Sequence, residues 1–309
     1  MIASLFRKST PFNYAVLIGA VAVFYVIYQI SVPGEGPTVA SILEKLLLFG
    51  VVFGSLFVLN FIVKKNGLSR DNSYTILFYF LFLLFFPSVF DNFNLVISNF
   101  FILLSIRRLV SLHSLKTPKE KIFDASVWVF VATLFHFWSI LFIVLVFISI
   151  LFHVSRDFRN WLLPFIAFVA VTTTFFLFAL LLDDAWIDFV LQNIPIDLTI
   201  DYFTDTKQNI ALSLFSPVVA YFVVVTFLTL SNRPLIIQAT YKKIISAFFI
   251  AVAIFIISPH KSNDTLIYAF APLAIMASTI LETSQSQLNR ELIAGITAAL
   301  AIVCFFLQL

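Results

Sequence analysis

The sequence predicts an all-α fold, a polytopic transmembrane helical bundle of about eight to eleven spans, and three observations carry that reading. Of its 309 residues, 61% are hydrophobic and 11% charged, against about 45–50% and about 25% in soluble globular domains. The apolar residues gather in runs close to the ~20 residues that cross a hydrocarbon core of about 30 Å. The basic residues fall almost wholly on one side of the alternation these runs create.

Composition removes the other classes. Only 7 Gly and 11 Pro are present, so disordered, collagen-like and linker-dominated chains are excluded. A single cysteine, Cys304, lies in the last apolar run, which rules out an intramolecular disulfide or a thiolate metal site. The 40 Phe beside 4 Trp and 2 Met read as an A+T-rich genome meeting a demand for apolar residues.

Taken in order, the first run covers 12–32 after Arg7 and Lys8. It is too long for a signal-peptide core and has no small-x-small cleavage pattern, so it reads as a retained signal anchor with a cytoplasmic N-terminus. The second, 42–63, ends at Lys64, Lys65 and Arg70, back in the cytoplasm. Block 74–106 is broken at Pro87 to Asn94 and block 123–153 near His136, leaving halves short for a perpendicular span. Each block is either a tight two-span hairpin or a re-entrant pair, and both options return the chain to its starting side. Run 161–182 then crosses outward. The polar stretch 183–210 forms an outer loop, and runs at 211–230, 244–258, 265–281 and 291–308 complete a single transmembrane domain over 1–309.

With both hairpins spanning, only Lys45, Lys207 and Lys261 of the 19 basic residues fall outside, leaving 19 − 3 = 16 in cytoplasmic segments. A mis-phased topology would scatter them. Acidic residues lean the other way, with Glu35, Glu44, Asp91, Asp183, Asp184, Asp188, Asp197, Asp201, Asp205 and Asp264 outside. That excess points to the outer face for chemistry or a partner.

Several outer groups are candidates, each beside a plainer role. In the loop 183–210, Trp186, Phe189, Val190 and Ile194 sit at helical spacing, the pattern of an amphipathic helix on the outer leaflet stopped by Pro195. Beyond it, Ile196, Leu198, Ile200 and Tyr202 alternate with polar residues as an extended segment. Asp197, Asp201 and Asp205 then share a face, either a cation site or a solvated one. Asp91, among Phe90, Asn92, Phe93 and Asn94, is an acid at the membrane edge and hence a functional candidate. Its plainer role is a helix cap, supplied by Asp91 or Asn92. His136 is either a satisfied core histidine or a base. His260 and Lys261, in Ser258 to Asp264, either form a polar turn or hold a phosphate. On the inner side the basic loop from Arg107 to Lys121 suits anionic lipid headgroups. There is no phosphate-binding loop, GxSxG, HExxH, CxxC or dinucleotide fingerprint. No cofactor, metal or nucleic acid is expected.

The pattern from Asn72 to Arg159, with FFPSVFDNF, the basic loop, Phe123-Asp124-Ala125 and Ala132 to His136, resembles an uncharacterised polytopic inner-membrane family of flavobacteria. The arrangement is also similar to the GT-C class of integral-membrane glycosyltransferases, which take a sugar from a polyprenyl-phosphate donor with an acidic residue in an outward loop. In that class the acid usually lies in the first outer loop; here that loop offers only Glu35, so Asp91 takes the role from the second. The resemblance implies a bacterial inner-membrane protein with an outer site. Asp91, His136, Asp183 and Asp184 would be its catalytic residues, and His260 and Lys261 would bind the leaving phosphate. Its partners would be the lipid bilayer and a polyprenyl-phosphate-linked substrate. The rival expectations are a scaffold that seats a membrane-protein partner and a small-solute transporter.

Overall fold

The computed structural model describes residues 2–31, 38–198, 206–259 and 261–309. Glu35, Asp201, Asp205 and His260 lie outside the described residues, as does most of the extended segment expected near 196–202. The chain forms thirteen α-helices, with no strand among the described residues. They are α1 (Ile2–Leu5), α2 (Pro11–Ser31), α3 (Val39–Lys65), α4 (Tyr74–Phe85), α5 (Phe93–Val110), α6 (Pro118–Phe135), α7 (Ile143–His153), α8 (Arg159–Leu182), α9 (Ala185–Gln192), α10 (Thr206–Leu230), α11 (Leu235–Ile257), α12 (Ile267–Thr283) and α13 (Gln287–Gln308). Short 3₁₀ turns at Pro87–Asp91, Phe137–Phe142 and Asn263–Leu266 precede α5, α7 and α12, and a fourth at Ser111–Ser114 follows α5.

Polar ties phase the helices. At one end the Glu291 carboxylate accepts from the Ala3 and Ser4 amides (2.9 and 2.8 Å), Tyr241 donates to the Leu68 carbonyl (3.0 Å) and Lys243 to the Leu109 carbonyl (2.6 Å). At the other end Gln29 donates to the Phe90 carbonyl, Gln308 to that of Phe85 and Asn263 to that of Gln208. Eight described helices are long and apolar enough to cross a membrane, and two shorter apolar helices cover Tyr74–Phe85 and Phe137–His153.

Each expected break is a 3₁₀ turn. Pro87, which has no amide hydrogen, sits in the first turn of its 3₁₀ segment, where no intrahelical donor is needed. Asn92 then caps α5, accepting from the Leu95 amide at 3.3 Å. The sequence left the cap to Asp91 or Asn92; Asn92 makes it, and the Asp91 side chain is exposed.

The core is two central helices with the others around them. Every residue of α4 is buried, as is every residue of 263–281, and α4 packs chiefly against α12. Such all-round apolar helices belong in an interior, where no polar face is needed. Phe78, Phe82 and Phe85 of α4 and the following Phe86 meet Phe215 and Phe222 of α10 and Phe270 of α12, with Phe82–Phe215 centroids 5.7 Å apart and edge-on and Phe86–Phe215 5.0 Å. Part of the phenylalanine excess thus serves as interlocking core, since edge-to-face pairs add about 0.5–1.5 kcal/mol each beyond burial. By contrast α8 is almost entirely exposed, with Leu162, Phe165, Val169, Leu177 and Leu181 pointing outward.

Charge separates the two ends. One end gathers the last turns of α3 (Lys64, Lys65) and α5 (Arg107, Arg108), the start of α6 (Lys119, Lys121) and the α7–α8 turn. Cations at helix C-termini also suit the backbone dipole. In the α7–α8 turn the Arg159 amide, then Lys119 at 3.2 Å, hold the Asp157 carboxyl below its ordinary value.

Candidate functional site

The α4 helix is 12 residues long, about 18 Å at 1.5 Å per residue, and cannot reach both faces of a bilayer core of about 30 Å. Where it stops, the turn Pro87–Asp91 meets the turn Asn263–Leu266 that begins α12. Between them, at the end opposite the basic helix termini, opens a recess of about 410 Å³. Its walls are Tyr28, Glu44, Ser88, Asp91, Asn92, Phe93, Asn94 and Asp264. Among the described residues three carboxylates line it and no basic side chain does.

Local structure fixes each acid. The α3 helix starts at a capping box in which Thr38 accepts from the Ser41 amide (3.2 Å) and Ser41 from the Thr38 amide (3.1 Å). That start puts the exposed Glu44 in the second turn, facing the recess. Asp91 ends its 3₁₀ turn with its side chain exposed. Asp264 is only 7% exposed. Its amide bonds the Ser262 hydroxyl at 3.2 Å, and its carboxylate accepts a short hydrogen bond from Ser88. A buried carboxylate is costly unless hydrogen-bonded, so Ser88, Ser262 and Asn92 together hold Asp264 at the wall of the recess.

Beside the recess lies a second, apolar cleft of about 410 Å³, walled by Leu134, Phe135, Phe175, Trp186 and Phe189 and by Asn94, which lines both. The amphipathic helix expected near 186–194 is α9, and Trp186 and Phe189 are its contribution to this cleft. No residue of α9 is fully buried.

The remaining predicted residues sit elsewhere around this end. The His136 ring turns toward α11 and α12, with Nε2 3.4 Å from the Ser258 hydroxyl and its centroid 5.8 Å from that of Tyr268. Tyr268 donates a hydrogen bond to the Ser98 hydroxyl (2.7 Å), and Ser98 to the Ala132 carbonyl (3.0 Å), in a buried chain. Asp183 accepts from the Ala185 amide at 3.0 Å and so starts α9; Asp184 is exposed beside it. Lys261 immediately precedes Ser262, the residue that holds the Asp264 amide. Of the predicted residues that are described, Asp91 alone lines the recess.

Sequence reasoning missed Glu44, Ser88 and Asp264 as members of one site. Glu44 carried a usable signal, an acid within an apolar run, but it was counted only as an outer charge. Asp264 stands three residues after Lys261, where the sequence marks it only as part of a polar turn. No group of three metal-binding side chains occurs among the described residues. No family model, curated protein or solved structure matches the chain.

Proposed function

We propose that the chain is a multi-pass enzyme of a bacterial inner membrane that transfers a sugar from a polyprenyl-phosphate-linked donor, in the manner of the GT-C class. One observation carries the reading: an acidic recess and an apolar cleft adjoin at Asn94 beneath an amphipathic helix. A lipid-linked sugar is a polar head on an apolar chain, and the two cavities side by side suit both parts. The basic helix termini at the opposite end support an outward-facing recess, by the positive-inside rule.

Roles follow from exposure. Asp91, open to water, is the general base that takes the proton of an acceptor hydroxyl. The acceptor oxygen then bonds to the donor's anomeric carbon as the bond from that carbon to the phosphate oxygen breaks, and the polyprenyl phosphate leaves with the electron pair. Asp264, held by Ser88, and Glu44 accept hydrogen bonds from sugar hydroxyls. The donor chain lies in the cleft against Phe135, Phe175 and Trp186. The GT-C resemblance would give the leaving phosphate to His260 and Lys261, which precede Asp264 in sequence; Lys261 is not part of the recess lining.

The test is a comparison of lipid-linked glycans in cells that carry wild-type protein, Asp91→Asn or no protein. General-base catalysis contributes about 10²–10⁴-fold, so Asp91→Asn, at normal abundance, is expected to accumulate the donor as the deletion does. Unaltered lipid-linked glycans in both the deletion and the variant would overturn the reading.

A further inference from the structure

The end of the bundle opposite the recess holds a cavity that the transferase reading does not use. It encloses about 440 Å³ between the last turns of α3 and α5, the turn Ser111–Ser114 and the start of α6. Lys65, Arg107, Arg108, Lys116 and Lys121 converge on it, with His113 beside them, and no carboxylate lines it.

These side chains are held rather than loosely spread. The Arg107 guanidinium lies 4.3 Å and the Lys65 ammonium 4.9 Å from the centre of the same Phe61 ring, so one aromatic ring gathers two cations from two helices. Lys121 is fixed at 2.8 Å from both the Ser111 carbonyl and the Ser114 hydroxyl. Arg108 alone pairs with a carboxylate, that of Asp124 at 2.8 Å. On either side of Lys116, Leu115 and Thr117 adopt left-handed backbone conformations (φ 52° and 43°) although neither is glycine, and Thr117 also precedes Pro118. Residues held in such conformations concentrate where a loop must present a group in one place.

The positive-inside rule and the helix dipole account for basic residues at these helix ends. They do not account for five cations closing on one hollow, where mutual repulsion opposes convergence. An anion of more than one charge offsets that repulsion. Arginine and lysine together match phosphate oxygens, the guanidinium as a fork and the ammonium as a point charge. We infer that this cavity binds a phosphate monoester or diphosphate group, either the headgroup of an anionic lipid or a soluble phosphate compound.

The experiment uses the full chain in phosphatidylcholine nanodiscs, with thermal unfolding as the readout. One arm adds phosphatidate to the bilayer and the other adds inorganic diphosphate to the buffer. The cavity variant is Lys65→Gln with Lys116→Gln, both exposed in the structure and so compatible with folding. The control is Arg156→Gln with Arg159→Gln, at the same end but outside the cavity. At about 1 kcal/mol per basic residue near an anionic group, the cavity variant is expected to lose affinity about tenfold or more, with the control unchanged. A melting-temperature rise with phosphatidate alone assigns the site to a lipid headgroup, and a rise with diphosphate assigns it to a soluble ligand. No rise in either arm, or an equal response of cavity and control variants, overturns the inference. Because the readout is binding at the opposite end, its failure leaves the sugar-transfer reading untouched.

Discussion

Replacing Glu282 with Ala should loosen the joint between α3 and α4 and cost about 2–4 kcal/mol. Glu282 lies in the last turn of α12, where the backbone dipole opposes a negative charge by roughly 0.3–1 kcal/mol. The loop 66–73 offsets that cost. The carboxylate accepts from the Ser69 hydroxyl, from the Arg70 amide at 3.1 Å and from the buried Asn72 side chain at 2.5 Å. Asn72 in turn accepts from the Tyr74 amide at 3.1 Å, so the clamp sets the first turn of the central α4. Hydrogen bonds to charged groups contribute about 1.5–3 kcal/mol, and a buried donor left unpaired costs about 1–3 kcal/mol. Discounting Ser69 and Arg70, which reach water, and the relieved dipole gives the stated range. The neighbouring pair Lys64–Asp71, at 2.9 Å, holds the Asp71 carboxyl below its ordinary value but is too exposed to take over the clamp. Glu282→Gln keeps an acceptor for Ser69 and Asn72 and turns its amide toward the Arg70 N–H, for a cost of about 1–2 kcal/mol. Reversible unfolding in mixed detergent micelles measures these differences, and proteolysis within 66–73 reads the loop directly. An Ala variant within about 0.5 kcal/mol of wild type, with the loop still protected, would refute the clamp.

Three shorter expectations test other parts of the structure. Trp186 and Phe189 are 44% and 40% exposed, so a little over half of each is buried; at about 1.5–3 kcal/mol per fully buried side chain, changing both to Ser should cost about 2–3.5 kcal/mol and expose the α8–α10 connection to protease, with the spans still inserted. Gly67 (φ 61°) closes α3 in a Schellman motif, with Leu68 N–H bonded to the Val63 carbonyl and Gly67 N–H to that of Lys64. A methyl group there meets nothing within 4 Å, so Gly67→Ala should lower unfolding stability by about 1–2 kcal/mol through backbone strain alone. Single cysteines in a Cys304→Ser background should react with an impermeant thiol reagent in intact cells when placed at 183–198 and stay unlabelled at 107–121; the opposite pattern would invert the orientation.

Most of the fold was legible because each apolar run is one helix, and the breaks at Pro87 and near His136 mark where the backbone turns. The site was less so. Asp91 announced itself as a charge among aromatics, but Asp264 gains its meaning from Ser88, 176 residues earlier. No local pattern encodes that pairing. Glu44 likewise faces the recess only because the capping box at Thr38 sets the phase of α3. His136 carried a strong local signal, yet its partners Ser258 and Tyr268 draw it into the packing between helices. The basic loop was read as a lipid contact, and what sequence could not express was the ring of Phe61 that gathers its cations.

The shortness of α4 is what makes a recess at all. A fully apolar helix of 12 residues can sit at the centre of a bundle only if something else closes the remaining depth. Apolar packing up to the surface would leave no room for water or a substrate head. Here the chain instead turns through Pro87–Asp91, and α12 begins with a matching polar turn. In a hydrocarbon layer the backbone groups freed by these turns must find partners within the protein. They do: Gln29 takes the Phe90 carbonyl, Gln308 that of Phe85, and Asn92 and Ser262 cap the outgoing amides. With the backbone so satisfied, the carboxylates of Asp91 and Glu44 stay exposed at the recess, and that of Asp264 is held by Ser88, Ser262 and Asn92. Conversely, lengthening α4 by one turn before Pro87 would drive the 3₁₀ turn outward by about 5 Å and close the recess while keeping the apolar core.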